Sequence, residues 1–157
     1  MNNMLKVVLV TALLAGCSDS EVGDVSLGVF TLKDIKINNL TDPVVTGVTC
    51  HVASIEADLS LADPSDSSIS CRQTGEITPE MIAQIDKSSS GEVVFQKSKS
   101  IFFKSMKIRR IFDAKNQTLM YLSYSTKETS GSFKHSLSTV PLWGTQAYNA
   151  FPETQNK

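Results

Sequence analysis

Residues 101–125 read IFFKSMKIRRIFDAKNQTLMYLSYS. Two runs rich in β-branched and aromatic residues, Ile101 to Phe112 and Leu119 to Ser125, flank the polar segment Asp113-Ala114-Lys115-Asn116-Gln117. That order predicts strand, turn, strand: an antiparallel hairpin. Asn116 is the residue expected to take a left-handed turn conformation. Alternation along the first strand places Phe102, Met106, Ile108 and Phe112 on one face. Lys104 and Arg110 share that face, which puts two cations on the core side. A bulge would flip part of the strand and expose them. Without one, Arg110 needs a partner, because a buried unpaired charge is costly. Asp113 and Glu92 are the candidate partners.

Outward from this hairpin the chain continues in the same style. Glu92 to Gln96 reads as a preceding strand. Ser138 to Trp143 closes the domain, with Trp143 expected over an edge, and Gly144 to Lys157 is expected to fray. Upstream, Val25 to Phe30 and the alternating Asp34 to Leu40 read as strands, and Thr41-Asp42-Pro43 as a breaker. Val44 to Ile55 is a further strand, with Gly47 marking a bulge. Asp63 to Ser68 is a solvated loop before the short strand Ile69 to Gln73. Thr78-Pro79-Glu80 starts a helix, with a capping hydroxyl, a proline in the first turn and an acid at the positive end. Met81, Ile82 and Ile85 form its apolar face. The fold class expected is mainly β: an antiparallel meander, sandwich- or barrel-like, with one short helix near 79–87.

The N-terminus sets location. A short start with one basic residue, Lys6, leads into nine mostly apolar residues, Val7 to Ala15, and then Gly16-Cys17. Basic start, apolar run and small residues are the parts of a secretory signal. The run is far below the ~20 apolar residues that cross a bilayer. Leu14-Ala15-Gly16-Cys17 reads as a bacterial lipobox, with Cys17 the lipid-attachment site and new first residue. The organisation expected is a signal over 1–16, a tether over 17–24, a domain over 25–143 and a flexible tail over 144–157. Ser18 after the lipidated cysteine fits an outer-membrane destination on the periplasmic side, whereas Asp19 one place further on favours inner-membrane retention in some bacteria, so both membranes stay open. Removing sixteen of the 157 residues leaves 141, enough for one domain with a real core.

With Cys17 spent on lipid, Cys50 and Cys71 remain. Outside the cytoplasm such a pair is usually a disulfide. The alternatives are a reactive thiol pair, or a metal held by Cys50, His51, Cys71 and His135. Metal is disfavoured because strand neighbours Cys50 and His51 point to opposite faces. No metal and no cofactor is therefore expected. The formal net charge of −1 suggests no special partner, but charge is unevenly spread. Residues 17–95 hold four Lys/Arg and thirteen Asp/Glu, and residues 96–135 hold nine Lys/Arg and two Asp/Glu. Either the halves neutralise each other once folded, or a basic face awaits an anion such as a lipid headgroup or acidic glycan. An exported protein rarely meets nucleic acid, so none is expected as a partner.

Several segments carry a family likeness. They are Val48-Thr49-Cys50, Asp66-Ser67-Ser68-Ile69-Ser70-Cys71-Arg72-Gln73, Gly91-Glu92-Val93-Val94-Phe95, Phe103-Lys104-Ser105, Arg110-Ile111-Phe112-Asp113-Ala114-Lys115, Tyr121-Leu122-Ser123-Tyr124-Ser125 and Val140-Pro141-Leu142. In order and approximate spacing, over Val22 to Trp143, the chain resembles the CreA family of small exported bacterial proteins. The resemblance supports the Cys50–Cys71 disulfide. It implies no particular activity, since the family's name refers to a catabolite-regulation locus. The chain departs from the pattern by its lipobox, by a shortened Leu59–Asp63 region and by residues beyond Trp143.

Catalytic patterns are missing from the sequence. There is no Gly-x-Ser-x-Gly elbow, no Ser-x-x-Lys, no phosphate loop and no dinucleotide fingerprint. His51 and His135 are the only histidines. Lys99, Lys104, Lys107, Arg109 and Arg110 could clamp an anion, but interleaved with phenylalanines they read better as strand residues. No catalytic residue is assigned. The function expected is a non-enzymatic envelope lipoprotein, tethered to the membrane, that binds an anionic ligand or an envelope protein. One rival is an enzyme acting on an envelope glycan or lipid, with Arg72, Arg110 and Asp113 as its first candidate residues; a second, implied only by the resemblance and its locus, is a regulatory accessory to a two-component sensor.

Overall fold

The computed structural model describes residues 20–28, 33–57, 67–98, 105–126 and 134–151. The elements in chain order are β1 (Ser20–Ser26), β2 (Lys33–Thr41), β3 (Val48–Ala57), β4 (Ser67–Gln73), α1 (Pro79–Gln84), β5 (Glu92–Ser98), β6 (Ser105–Asp113), β7 (Thr118–Thr126) and β8 (His135–Pro141). They form two four-stranded sheets, β1-β2-β3-β4 and β5-β6-β7-β8, in which every neighbouring pair is antiparallel and consecutive. The expected β-rich meander with one short helix is what is found, as two sheets rather than a closed barrel. Among the described residues no helix is long and apolar enough to cross a membrane.

One core joins the sheets. From the first come Leu40, Val48, Cys50, Val52 and Cys71; from the second come Met106, Ile108, Phe112, Leu119, Tyr121 and Val140. Ile77, Ile82 and Ile85 belong to the same core. The last strand of each sheet, β4 and β8, lie together. The Ser138 hydroxyl accepts from the Cys71 amide at 2.7 Å, and Ser67 and Ser123 hydroxyls meet at 3.2 Å. The two sheets are thus stitched by serines where β4 meets β8 and β7.

Several local expectations are corrected. The register of β6 against β7 runs unbroken from Ser105 to Asp113, so no bulge flips that strand. The shift lies instead in β5, between Val93 and Phe95. Phe102 and Lys104 fall outside the described residues. Gly47 is not a bulge but part of the turn leading into β3. Its carbonyl accepts from Thr74 and Gly75, and a Cβ there would sit 2.1 Å from the Glu76 carbonyl oxygen. Helix α1 stops at Gln84, because Ile85 turns to extended backbone and drops into the core. Its cap is as expected, with the Thr78 hydroxyl accepting from the Met81 amide.

The left-handed residue of the β6–β7 turn is Gln117, at φ 49°, and not Asn116. Asn116 is held by Asp113, whose carboxylate accepts from its amide at 3.0 Å and from its side chain at 2.6 Å. Gln117 is buried and ties down the C-terminal segment: its side chain donates to the Phe151 carbonyl and accepts from the Asn149 amide. The stretch from Gly144 to Phe151 consequently folds back, with Ala147 buried and donating to the Ile77 carbonyl at 3.1 Å. Trp143 does not cover an edge. It is 73% exposed and meets Tyr148 edge to face, while Leu142 takes the inward place by alternation. At the other end β1 begins at Ser20, inside the segment expected as a tether.

Candidate functional site

The chemistry-bearing residues of the core sit at the join of the sheets. Register places Glu92, Arg110 and Tyr121 side by side across β5, β6 and β7. All three lie in the inward-pointing rows, as alternation with Ile108, Phe112 and Leu119 requires. Asp42 comes to them from the other sheet, from the turn between β2 and β3. Its carboxylate receives one guanidinium nitrogen of Arg110, and Glu92 receives the other. The Tyr121 hydroxyl donates to Asp42 Oδ2 at 2.8 Å. The amides of Val44 and Val45 donate to Asp42 Oδ1 at 2.9 and 2.8 Å. One carboxylate therefore caps its own turn and anchors the partner sheet at once.

Asp42, Arg110 and Tyr121 are all essentially without solvent access, whereas the Glu92 side chain is 37% exposed. Burial by itself would lower the Arg110 pKa; the charge and hydrogen bond of Asp42, with Glu92, outweigh it and hold the group above its ordinary value. Burial also pushes the Tyr121 phenol far above its usual range, and Asp42 pushes it further; Arg110 opposes this and loses. Tyr121 is thus a neutral donor across the accessible pH range. The cluster holds an ion pair, an ion-paired rim carboxylate and a phenol that stays protonated. Only Arg110 Nε lacks a partner among the buried side-chain atoms described. Such an arrangement fixes geometry, tying the turn after β2 to three neighbouring strands of the other sheet.

The residues singled out from sequence do not converge. Glu92 is a partner of Arg110, as anticipated, but Asp113 is not, since it is occupied by Asn116 in the turn. Arg72 is exposed near the end of β4. Lys107 and Arg109 flank Arg110 but alternate away from the core; Arg109 donates to the Ser90 and Gly91 carbonyls at 2.9 Å each. Lys99 and Cys17 lie outside the described residues, as does Lys104. Cys50 and Cys71 stand opposite each other on β3 and β4 and are joined as a disulfide. With each sulfur bound to the other, neither is left to ligate a metal, and His51 lies in the row facing the other way.

Asp42 was legible only as a breaker before Pro43. The signal that points further is an unpaired arginine on the core side of a strand, which demands a carboxylate flanked by apolar residues. Asp42, followed by Val44 and Val45, is such a residue.

Comparison with known proteins gives one family. A family model described as "CreA protein" matches residues 22–145. Protein CreA of Escherichia coli strain K12 is 43% identical over 115 residues, covering 69% of this chain and 72% of that protein. Proteins of the same name from the O6:H1 and O157:H7 strains match to the same extent. No solved structure matches.

Proposed function

The chain belongs to the CreA family, and from that premise we propose that it is an exported, lipid-anchored, non-enzymatic binding protein of the bacterial envelope. Leu14-Ala15-Gly16-Cys17 supplies the anchor, with Cys17 acylated, and Ser18 directs the protein to the outer membrane. A single acyl chain holds a protein only marginally, so a stable tether needs more than one. The Cys50–Cys71 disulfide agrees with an oxidising compartment.

The observation that carries the binding reading is the saturation of the buried charges. Asp42 is spent on four donors, and Arg110 on two carboxylates from different parts of the chain. The residues an enzymatic reading would group, Arg72, Arg110 and Asp113, are dispersed: one outside on β4, one in the core and one at the end of β6, engaged by Asn116. Ligand contacts then belong to the outer faces of the sheets. Crosslinking in intact envelopes followed by purification tests this. The expected outcome is enrichment of a membrane component or partner through outward-facing residues; the recovery of nothing bound would contradict it.

A further inference from the structure

The outward face of sheet β1-β2-β3-β4 has an uneven make-up. Core-facing rows contain Leu40, Cys50 and Cys71, and then Val52 and Ile69. The alternate rows therefore point away from the core. They are Val25–Ile35–Ile55, Gly23–Ile37–Ala53–Ser68, Asn39–His51–Ser70 and Thr41–Thr49–Arg72. Val25, Ile35, Ile37 and Ile55 belong to none of the buried core, and Val25 is 52% exposed. A shallow groove of about 270 Å³ lies at this end of the sheet, lined by Ile35, Ala53, Ile55 and Ser68 from the outward rows and by Ser54 and Ser67 from the core-side row.

Charge is sorted between the two faces. The carboxylates of β1 and β2, namely Glu21, Asp24 and Asp34, occupy the core-side rows, where Lys36 pairs with Glu21 and Asp24. Among the described residues the outward rows named above carry no carboxylate, and the exposed cation Arg72 stands at one end of them. An apolar centre with an exposed arginine at its margin fits an interface of apolar chains and anionic headgroups.

Chain length adds an independent constraint. Strand β1 starts at Ser20, three residues after Cys17. Three residues span about 10 Å at most. A lipidated Cys17 therefore holds the β1 edge of this sheet at the bilayer surface, with no length for the domain to stand off. We propose that this outward face is a membrane-docking surface: Val25, Ile35, Ile37 and Ile55 settle among the headgroups beside the anchor, and Arg72 engages anionic lipid. This rests on the anchored reading above.

The test uses the acylated protein in vesicles of phosphatidylcholine with phosphatidylglycerol, some of whose acyl chains are brominated. Two single-tryptophan proteins are compared in a Trp143→Phe background. Val25→Trp reports from the proposed face, and Leu137→Trp from an exposed position on the outer side of the other sheet. Emission at position 25 is expected to be quenched and blue-shifted, and that at 137 to be neither. Arg72→Ala is expected to lower the docked fraction relative to the undocked by about five-fold, the ratio equivalent to ~1 kcal/mol per basic residue at an anionic surface. Failure to float with vesicles overturns the anchor and this surface with it. Flotation with position 25 unquenched, or quenched no more than 137, overturns the surface and leaves the anchor standing.

Discussion

Replacing Asp42 by alanine is the sharpest perturbation of the fold. The change removes the partner of a guanidinium that is 1% exposed, and leaves the Tyr121 hydroxyl and the Val44 and Val45 amides without their acceptor. Breaking a buried ion pair from one side costs ~3–5 kcal/mol, because the remaining charge is stranded. For a domain of this size that is a fall in melting temperature of roughly 10–20 °C. It is also a large share of the ~5–15 kcal/mol that holds a typical domain folded. Urea and thermal unfolding followed by circular dichroism measure it. Arg110→Met in the Asp42→Ala background removes the stranded charge, so the double variant is expected to be more stable than the sum of the single losses by ~1–3 kcal/mol. Simple additivity within ~0.5 kcal/mol, or a loss below ~1 kcal/mol for Asp42→Ala, would refute the reasoning that the pair is coupled and closed to water.

Further outcomes follow from the same structure. The Tyr121 phenol is raised in the folded state, so the folded protein keeps a proton that the unfolded chain loses above pH ~10. Its stabilising effect is complete below that pH and declines above it by up to ~1.4 kcal/mol per pH unit; Tyr121→Phe should give a shallower alkaline decline in urea titrations. Gly91→Ala is expected to destabilise by ~2 kcal/mol or more, because φ is +57° and the new Cβ would lie 2.0 Å from the Arg110 carbonyl oxygen. Gly144→Ala, at φ +82° with nothing within 4 Å, should cost only the ~1–2 kcal/mol of the backbone conformation in the same unfolding assay. Replacing both Cys50 and Cys71 by alanine should lower stability by ~3 kcal/mol, the chain-entropy value for their loop.

The meander was readable because alternation with period two is a local signal, and the strands from β2 to β8 follow it. Arg110 shows where local reading stopped. Its inward placement was visible from the spacing of Met106, Ile108 and Phe112, but its chief partner lies 68 residues away in the other sheet. Pairing across sheets leaves no trace in periodicity; only the demand for a carboxylate is visible, and Asp113 met that demand as well as Asp42. The C-terminal segment was misread for a similar reason. Residues Gly144 to Phe151 are polar and interrupted, yet Gln117, from a turn far upstream, supplies their hydrogen bonds. Gln117 itself took the left-handed position because Asn116, the better left-handed former, was engaged by Asp113. In each case a long-range or side-chain contact decided between local options that were close in energy.

Export and acylation at Cys17 underlie both the binding role and the membrane-facing sheet, and the intact mass of the protein extracted from membranes addresses them directly. The predicted result is a chain starting at Cys17, heavier by its acyl chains and lighter by the two hydrogens of the Cys50–Cys71 bond. A chain that keeps Met1, or one whose Cys17 is unmodified, would contradict the account.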